Sequence, residues 1–151
     1  MEVKMKAKIV NVKAAKVMGM VYKGKNLNGE IPAMWTIFNR RYVELKNADL
    51  QVFYGLCYGY ESNGDFSYMA GLAVDPIADI PNGMEVVELP AGKYAAFTFK
   101  DHISKMGEFW DSIYKIYLPE NNLRPLQGMT FELYDERFPI NGECDIYIPV
   151  E

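Results

Sequence analysis

The sequence predicts an α+β fold: duplicated β-α-β-β units forming one antiparallel sheet, with two helices on one face and a concave groove. Three observations predict it: a repeat at a fixed offset, a tryptophan-bearing helical stretch in each copy, and a pair of strands after each helix.

Residues 7–24 (AKIVNVKAAKVMGMVYKG) lie without a gap over residues 84–101 (MEVVELPAGKYAAFTFKD), 77 positions later. In this register Ile9 meets Val86, Val10 meets Val87, Val12 meets Leu89, Ala14 meets Ala91, Lys16 meets Lys93 and Lys23 meets Lys100. Each copy opens with this extended segment.

A helical stretch follows in each: MWTIFNRRY with Trp35 and Tyr42, and FWDSIYKIY with Trp110 and Tyr117. Seven residues are two helical turns, so each pair shares a face. In the second helix Met106, Trp110, Ile113 and Tyr117 form one stripe, while Glu108, Asp111 and Lys115 take the solvent side. The stripe is compatible with groove lining and with plain helix-to-sheet packing.

Two strands close each copy, over residues 51–60 and 66–74 and over residues 129–138 and 144–150. The connections 61–65 (ESNGD) and 139–142 (PING) carry the Asn and Gly of hairpin links. Residues 75–83 (DPIADIPNG), with two prolines and a glycine, read as the crossover. The pseudo-repeats thus span about 7–74 and 84–150 of a single domain covering 1–151. A chain of 151 residues that is 50% apolar suits one core.

A β-α-β-β unit covers one sheet face with its own helix and leaves the other open. Joined edge to edge, two units place both helices on one side and a concave strand face on the other. Strand alternation then assigns side chains. Phe131 and Leu133, apolar and two apart, are expected to face the helix, sending Glu132 and Tyr134 to the open side. Phe53 faces the helix, with Tyr54, Leu56 and Tyr58 on the open side. Ile146, Ile148 and Val150 claim the core, leaving Tyr147 beside Glu132.

A carboxylate among tyrosine rings is partly desolvated, and a flat, apolar cation compensates it through an ion pair and cation–π contacts. Alternation alone favours the plainer reading, in which Glu132 is an ordinary glutamate on a solvated sheet face. The composition favours a surface both apolar and polar, with eleven tyrosines against the single His102.

Other chemistries have little support. The net charge of −4 lacks the basic footprint of direct nucleic-acid or anionic-membrane binding. The start, MEVKMKAKIV, has no leader pattern and no apolar run reaches membrane-span length, so a cytoplasmic location is expected. Cys57 and Cys144 show no CxxC or Cys/His spacing and read as buried thiols. No metal ligand set and no glycine-rich phosphate loop is present, so no cofactor is expected. His102 reads as a cap-adjacent surface residue, Asp135 and Glu136 as solvated charges at a hairpin end, and Arg40 and Arg41 as a polar helix face.

The segments LPAGKYAAFTF (89–99), FWDSIY (109–114), FELYDERF (131–138) and CDIYIPV (144–150) together resemble the GyrI-like effector-binding family, also found as the ligand domain of AraC-type and MerR-type multidrug regulators. The resemblance covers nearly the whole chain, with the first copy more diverged. It implies a duplicated β-α-β-β fold with a central cleft and an acidic residue that recognises amphipathic cations. That residue falls on Glu132, with pocket aromatics on Tyr134 and Tyr147; Tyr54 and Trp110 follow by weaker correspondence, and Leu56 and Tyr58 complete the expected lining. The regulators carry a helix-turn-helix segment before this domain, and here the first strand starts within about ten residues of Met1, so no DNA reader is expected in this chain.

The leading expectation is a stand-alone binding module for amphipathic, cationic small molecules. The alternatives are a hydrolase of strained electrophiles using Glu132 as general acid or base, and a protein-interaction modulator such as a gyrase inhibitor. A homodimer across an edge strand and a regulator or other protein partner are also compatible with the sequence.

Overall fold

The computed structural model describes residues 4–151. Its first half runs β1 (Lys8–Val12), β2 (Ala15–Gly24), α1 (Glu30–Arg41), β3 (Phe53–Tyr58) and β4 (Phe66–Ala73). The second runs β5 (Glu85–Leu89), β6 (Gly92–Lys100), α2 (Met106–Ser112), β7 (Thr130–Tyr134), a short α4 (Arg137–Asn141) and β8 (Glu143–Pro149). Between α2 and β7 the helix continues through a π-turn, Ile113–Tyr117, into α3 (Leu118–Glu120).

One antiparallel sheet of eight strands results, in the order β1-β6-β8-β7-β3-β4-β2-β5. The halves join at its centre, where β3 pairs with β7 and Phe53, Gly55 and Cys57 stand opposite Tyr134, Glu132 and Thr130. Each aligned 18-residue segment, expected as one strand, is two. The break in the second falls at Pro90, which cannot donate to a ladder.

The two pieces of each segment go to opposite ends of the sheet. β1 pairs with β6 of the other half, and β5 pairs with β2. Only residues 13–14 link β1 to β2, and only residues 90–91 link β5 to β6. Links this short span about 10 Å, so the sheet must curl until its ends meet. β1 and β5 remain its two open edges.

Curling gives the molecule apolar cores on both faces. Under the helices, Met34 and Phe38 of α1 pack on Met18, Tyr68 and Leu72. Ile113 and Leu118 pack on Phe97, Ile146 and Ile148. On the face away from the helices the sheet wraps around Val17, Leu56, Met69, Leu89, Tyr94 and Phe131.

Local signals set the helices. Gly29 takes a left-handed φ of 73° before α1, and the Asn26 side chain accepts from the Ile31 N–H. Glu30 in the first turn and Arg40 and Arg41 in the last match the helix dipole. The Met106–Trp110–Ile113–Tyr117 stripe packs inward as expected, and Glu108, Asp111 and Lys115 are exposed.

The closing hairpin differs from expectation. The strand expected over 129–138 ends at Tyr134, and residues 139–142 lie in and after a helical turn. Asp135 is the cause: its carboxylate accepts from the Arg137 backbone N–H and pairs with the Arg137 guanidinium at 2.8 Å, starting α4. Arg137 also holds Asp145 of β8 at 2.7 Å, and Gly142 ends the turn at φ 78°. The first hairpin, by contrast, closes over ESNGD, where Asn63 accepts from the Asp65 N–H.

Phe131 is 1% exposed and stacked on Tyr147 at 4.4 Å. Phe131→Ala is expected to lose about 3–5 kcal/mol in chemical denaturation, comparable to Phe38→Ala under the helices. A much smaller loss for Phe131 would mean that the second core carries no comparable load.

Candidate functional site

The seam between β3 and β7 sits between α1 and α2, and above it opens a cavity of about 1330 Å³. That exceeds the few hundred to 1,000 Å³ usual for small-molecule sites. Its wall is aromatic: Trp35 from α1, Trp110 from α2, Phe53 from β3, Phe66 and Tyr68 from β4, and Tyr134 from β7.

At the floor lies Glu132, only 7% exposed. Oε1 accepts from the Tyr68 hydroxyl at 2.5 Å and from the Tyr134 hydroxyl at 3.0 Å. Oε2 accepts from the Trp110 indole N–H at 3.3 Å. The Trp35 indole N–H in turn donates to the Tyr68 oxygen at 3.0 Å, so both helices are tied to the carboxylate. The strand register leaves Gly55 directly opposite Glu132, and a side chain there would collide with both Tyr68 and Glu132.

Burial pushes the Glu132 carboxyl above its ordinary range, and the three donors only partly offset this. Every donor is formally neutral. Among the described residues no Lys, Arg or His lines the cavity, and the remaining acidic residues, Asp135 and Glu136, stand on the segment leading to α4. Asp135 is paired with Arg137; Glu136 is exposed. The arrangement holds a carboxylate in an apolar chamber without a cation of its own.

Of the residues the sequence singled out, the structure brings Glu132, Tyr134 and Trp110 together. Tyr54, Leu56, Tyr58 and Tyr147 lie on the other face of the sheet, within the core around Phe131. The expected orientation of β7 is therefore reversed: Glu132 and Tyr134 face the helices, and Phe131 and Leu133 face away. The register decides this, because Glu132 stands opposite Gly55 and Ile146, while Phe131 stands opposite Leu56 and Tyr147. The groove is likewise on the helix side, not on the strand face opposite.

Trp35, Tyr68, Phe53, Phe66, Cys57 and Tyr60 were not anticipated as lining. Trp35 was within reach, since it occupies the helix position equivalent to Trp110. Cys57 and Cys144 are buried free thiols. His102 caps the turn Ile103–Lys105, its side chain accepting from the Ser104 N–H. Among the described residues no cluster of three or more His, Cys, Asp or Glu forms a metal site, and no helix is long and apolar enough to cross a membrane.

Residues 8–150 match the family of integron-associated effector binding proteins. The chain belongs to this family. It is 38% identical over 151 residues to the transcriptional regulator BrlR of Pseudomonas aeruginosa, a match covering 97% of this chain and 56% of BrlR. The chain thus spans little more than half the length of that relative. In fold it is similar to SAV2435, solved bound to tetraphenylphosphonium (TM-score 0.77, 21% identity, 97% of this chain and 94% of that one). It is also similar to an integron cassette protein of Vibrio cholerae (TM-score 0.73, 20% identity, 97% and 96%). The GyrI-like fold expected from the sequence is the one observed.

Proposed function

We propose that this effector-binding domain takes amphipathic, cationic small molecules into the cavity between α1 and α2, with Glu132 as their counter-charge. The observation that carries this reading is a carboxylate 7% exposed, held only by uncharged donors, in a chamber walled by aromatic rings. Its desolvation is unfavourable without a ligand, and a bound cation relieves it. Trp35, Trp110 and Tyr134 supply π faces for the same charge, as well as apolar area. The tetraphenylphosphonium bound to the similar SAV2435 is a lipophilic cation, which supports the reading.

The hydrolytic alternative needs Glu132 to exchange a proton with water or substrate. Oε1 already receives two phenol O–H groups and Oε2 an indole N–H. With both oxygens already engaged by the protein's own donors, neither is presented bare to a water or a scissile bond, so binding is the better reading.

Tryptophan fluorescence reports on the site directly, because Trp35 and Trp110 are the chain's two tryptophans and both line it. Titration with 4-biphenylyl-trimethylammonium and its neutral carbon isostere 4-tert-butylbiphenyl compares ligands differing only in N⁺ for C. The cation is expected to bind at least about tenfold more tightly. Equal affinities would remove the electrostatic reading and leave an apolar pocket.

A further inference from the structure

Trp35 stands behind Glu132 at one remove. Its indole N–H donates to the Tyr68 oxygen at 3.0 Å, and the Tyr68 hydroxyl donates to Glu132 Oε1 at 2.5 Å. Chemistry fixes the direction of this chain. An indole N–H can only donate, so it takes an acceptor position on the phenol oxygen and leaves the single phenol proton for the carboxylate. Tyr68 is 4% exposed, and Trp35 is wedged edge-on against Phe38, Tyr68 and Tyr134, so neither ring is free to turn away.

The site contains its own comparison. Tyr134 donates to the same Oε1 at 3.0 Å, and among the described residues nothing donates to its own oxygen. The phenol backed by an indole therefore sits closer to the carboxylate than the phenol without one, as expected where one hydrogen bond polarises the next in a low-dielectric site. We infer that Trp35 is a positioning residue for Glu132: by donating to Tyr68 it aims and strengthens the Tyr68 donation, and so holds the carboxylate in the charged form that a cation requires. The consequence for binding rests on Glu132 as the cation's counter-charge; the effect on the carboxyl itself does not.

Among the described residues, α1 and α2 contribute no titratable side chain to the cavity. Facing Glu132, β3 brings Cys57, β4 Tyr68, β7 Tyr134 and β8 Cys144, with Tyr60 just beyond the end of β3. Burial holds all five above their ordinary ranges, so they stay neutral where Glu132 titrates. Asp135 is kept ionised by Arg137, and Glu136 is exposed on the segment leading to α4. A role for Trp35 as wall alone has the opposite signature. Trimming a mere wall to phenylalanine would admit water to the carboxylate, ease its desolvation and lower its pKa. Losing the relay raises it, so the direction of the shift separates the two roles.

The test follows the Glu132 carboxyl carbon by NMR in ligand-free protein labelled at its glutamate carboxyl groups, the resonance being the one absent in Glu132→Gln. Trp35→Phe is expected to raise the titration midpoint by about half a pH unit. In a Tyr68→Phe background it is expected to raise it no further, because the link is gone. Trp110→Phe, which removes a direct donor to Oε2, is expected to raise it in either background. In the wild type, where no variant has to fold, the Trp35 indole proton is expected to move downfield with the same midpoint as Glu132. Below both midpoints, Trp35→Phe is expected to weaken 4-biphenylyl-trimethylammonium relative to 4-tert-butylbiphenyl about threefold more than above them. A midpoint that falls or stays, a further rise in the Tyr68→Phe background, or an indole proton that does not follow Glu132 would each overturn the inference and leave the counter-charge role of Glu132 standing. A raised midpoint with the cation's advantage unchanged would keep Trp35 as a positioning residue and overturn the counter-charge.

Discussion

Glu132→Gln is expected to weaken 4-biphenylyl-trimethylammonium by about ten- to a hundredfold, equivalent to roughly 1.4–2.7 kcal/mol, while changing the neutral isostere little. Glutamine keeps an oxygen for the Tyr68 and Tyr134 hydroxyls at nearly the volume of glutamate, and gives up only the long acceptor contact to the Trp110 indole N–H, so the cavity keeps its shape. What it chiefly lacks is the charge. Equal losses for the cation and its isostere would indicate damage to the cavity rather than loss of an ion pair.

The same substitution is expected to change stability in the opposite sense, and pH separates the two effects. The folded-state carboxyl of Glu132 is raised above its unfolded value, chiefly by desolvation. Between the two values the folded protein retains a proton that the unfolded chain has released. Stability therefore falls as pH rises from the unfolded pKa through the folded one, and is constant beyond it. Glu132→Gln removes this dependence, so the variant should be the more stable at neutral pH, with the advantage fading below the unfolded pKa. Cation affinity runs the other way, strengthening as Glu132 ionises and levelling off above the folded pKa. Urea titrations and fluorescence titrations across pH 4–8 report both slopes; parallel slopes would contradict the assignment.

The sequence made the architecture more legible than the site. The offset of 77 anticipated that β5 and β6 begin as far after β1 and β2 as the aligned segments do. It carried no sign that each segment divides and sends its first strand to the other half. That exchange is a long-range pairing, and the local residues of β1, KIVNV, suit either neighbour. Glu132, Tyr134 and Trp110, which the structure brings together at the cavity, could be picked out because an acidic residue in an aromatic strand and a tryptophan on an inward helix stripe are local signals. The faces were reversed because apolarity identifies the core only where a sheet has one buried side. Here Phe131 and Leu133 pack into the core away from the helices and Ile146 and Ile148 into the core beneath them, so both sets look alike in sequence. Tyr68 was out of reach for another reason. Its role depends on the β3–β4–β7 registers and on a glycine that leaves it room.

That glycine yields the second large expected effect. Gly55 has an ordinary strand conformation, so its backbone tolerates any residue; the space above it does not. A Cβ placed there meets the Tyr68 hydroxyl and Glu132 Oε1, the two atoms of the shortest hydrogen bond in the site. Gly55→Ala must separate them, and it then leaves a buried carboxylate without its closest donor. The expected cost is about 2–4 kcal/mol in urea denaturation, together with loss of cation binding. In a Tyr68→Phe background the hydroxyl is already gone, so the alanine meets one obstacle fewer and should cost clearly less. The double-mutant cycle would then show a coupling of about 1 kcal/mol or more. Full additivity would mean that Gly55 is needed for the strand itself and not for the contact it shelters. Coupling would tie the absence of a side chain on β3 to the geometry that keeps Glu132 ready for a positive charge.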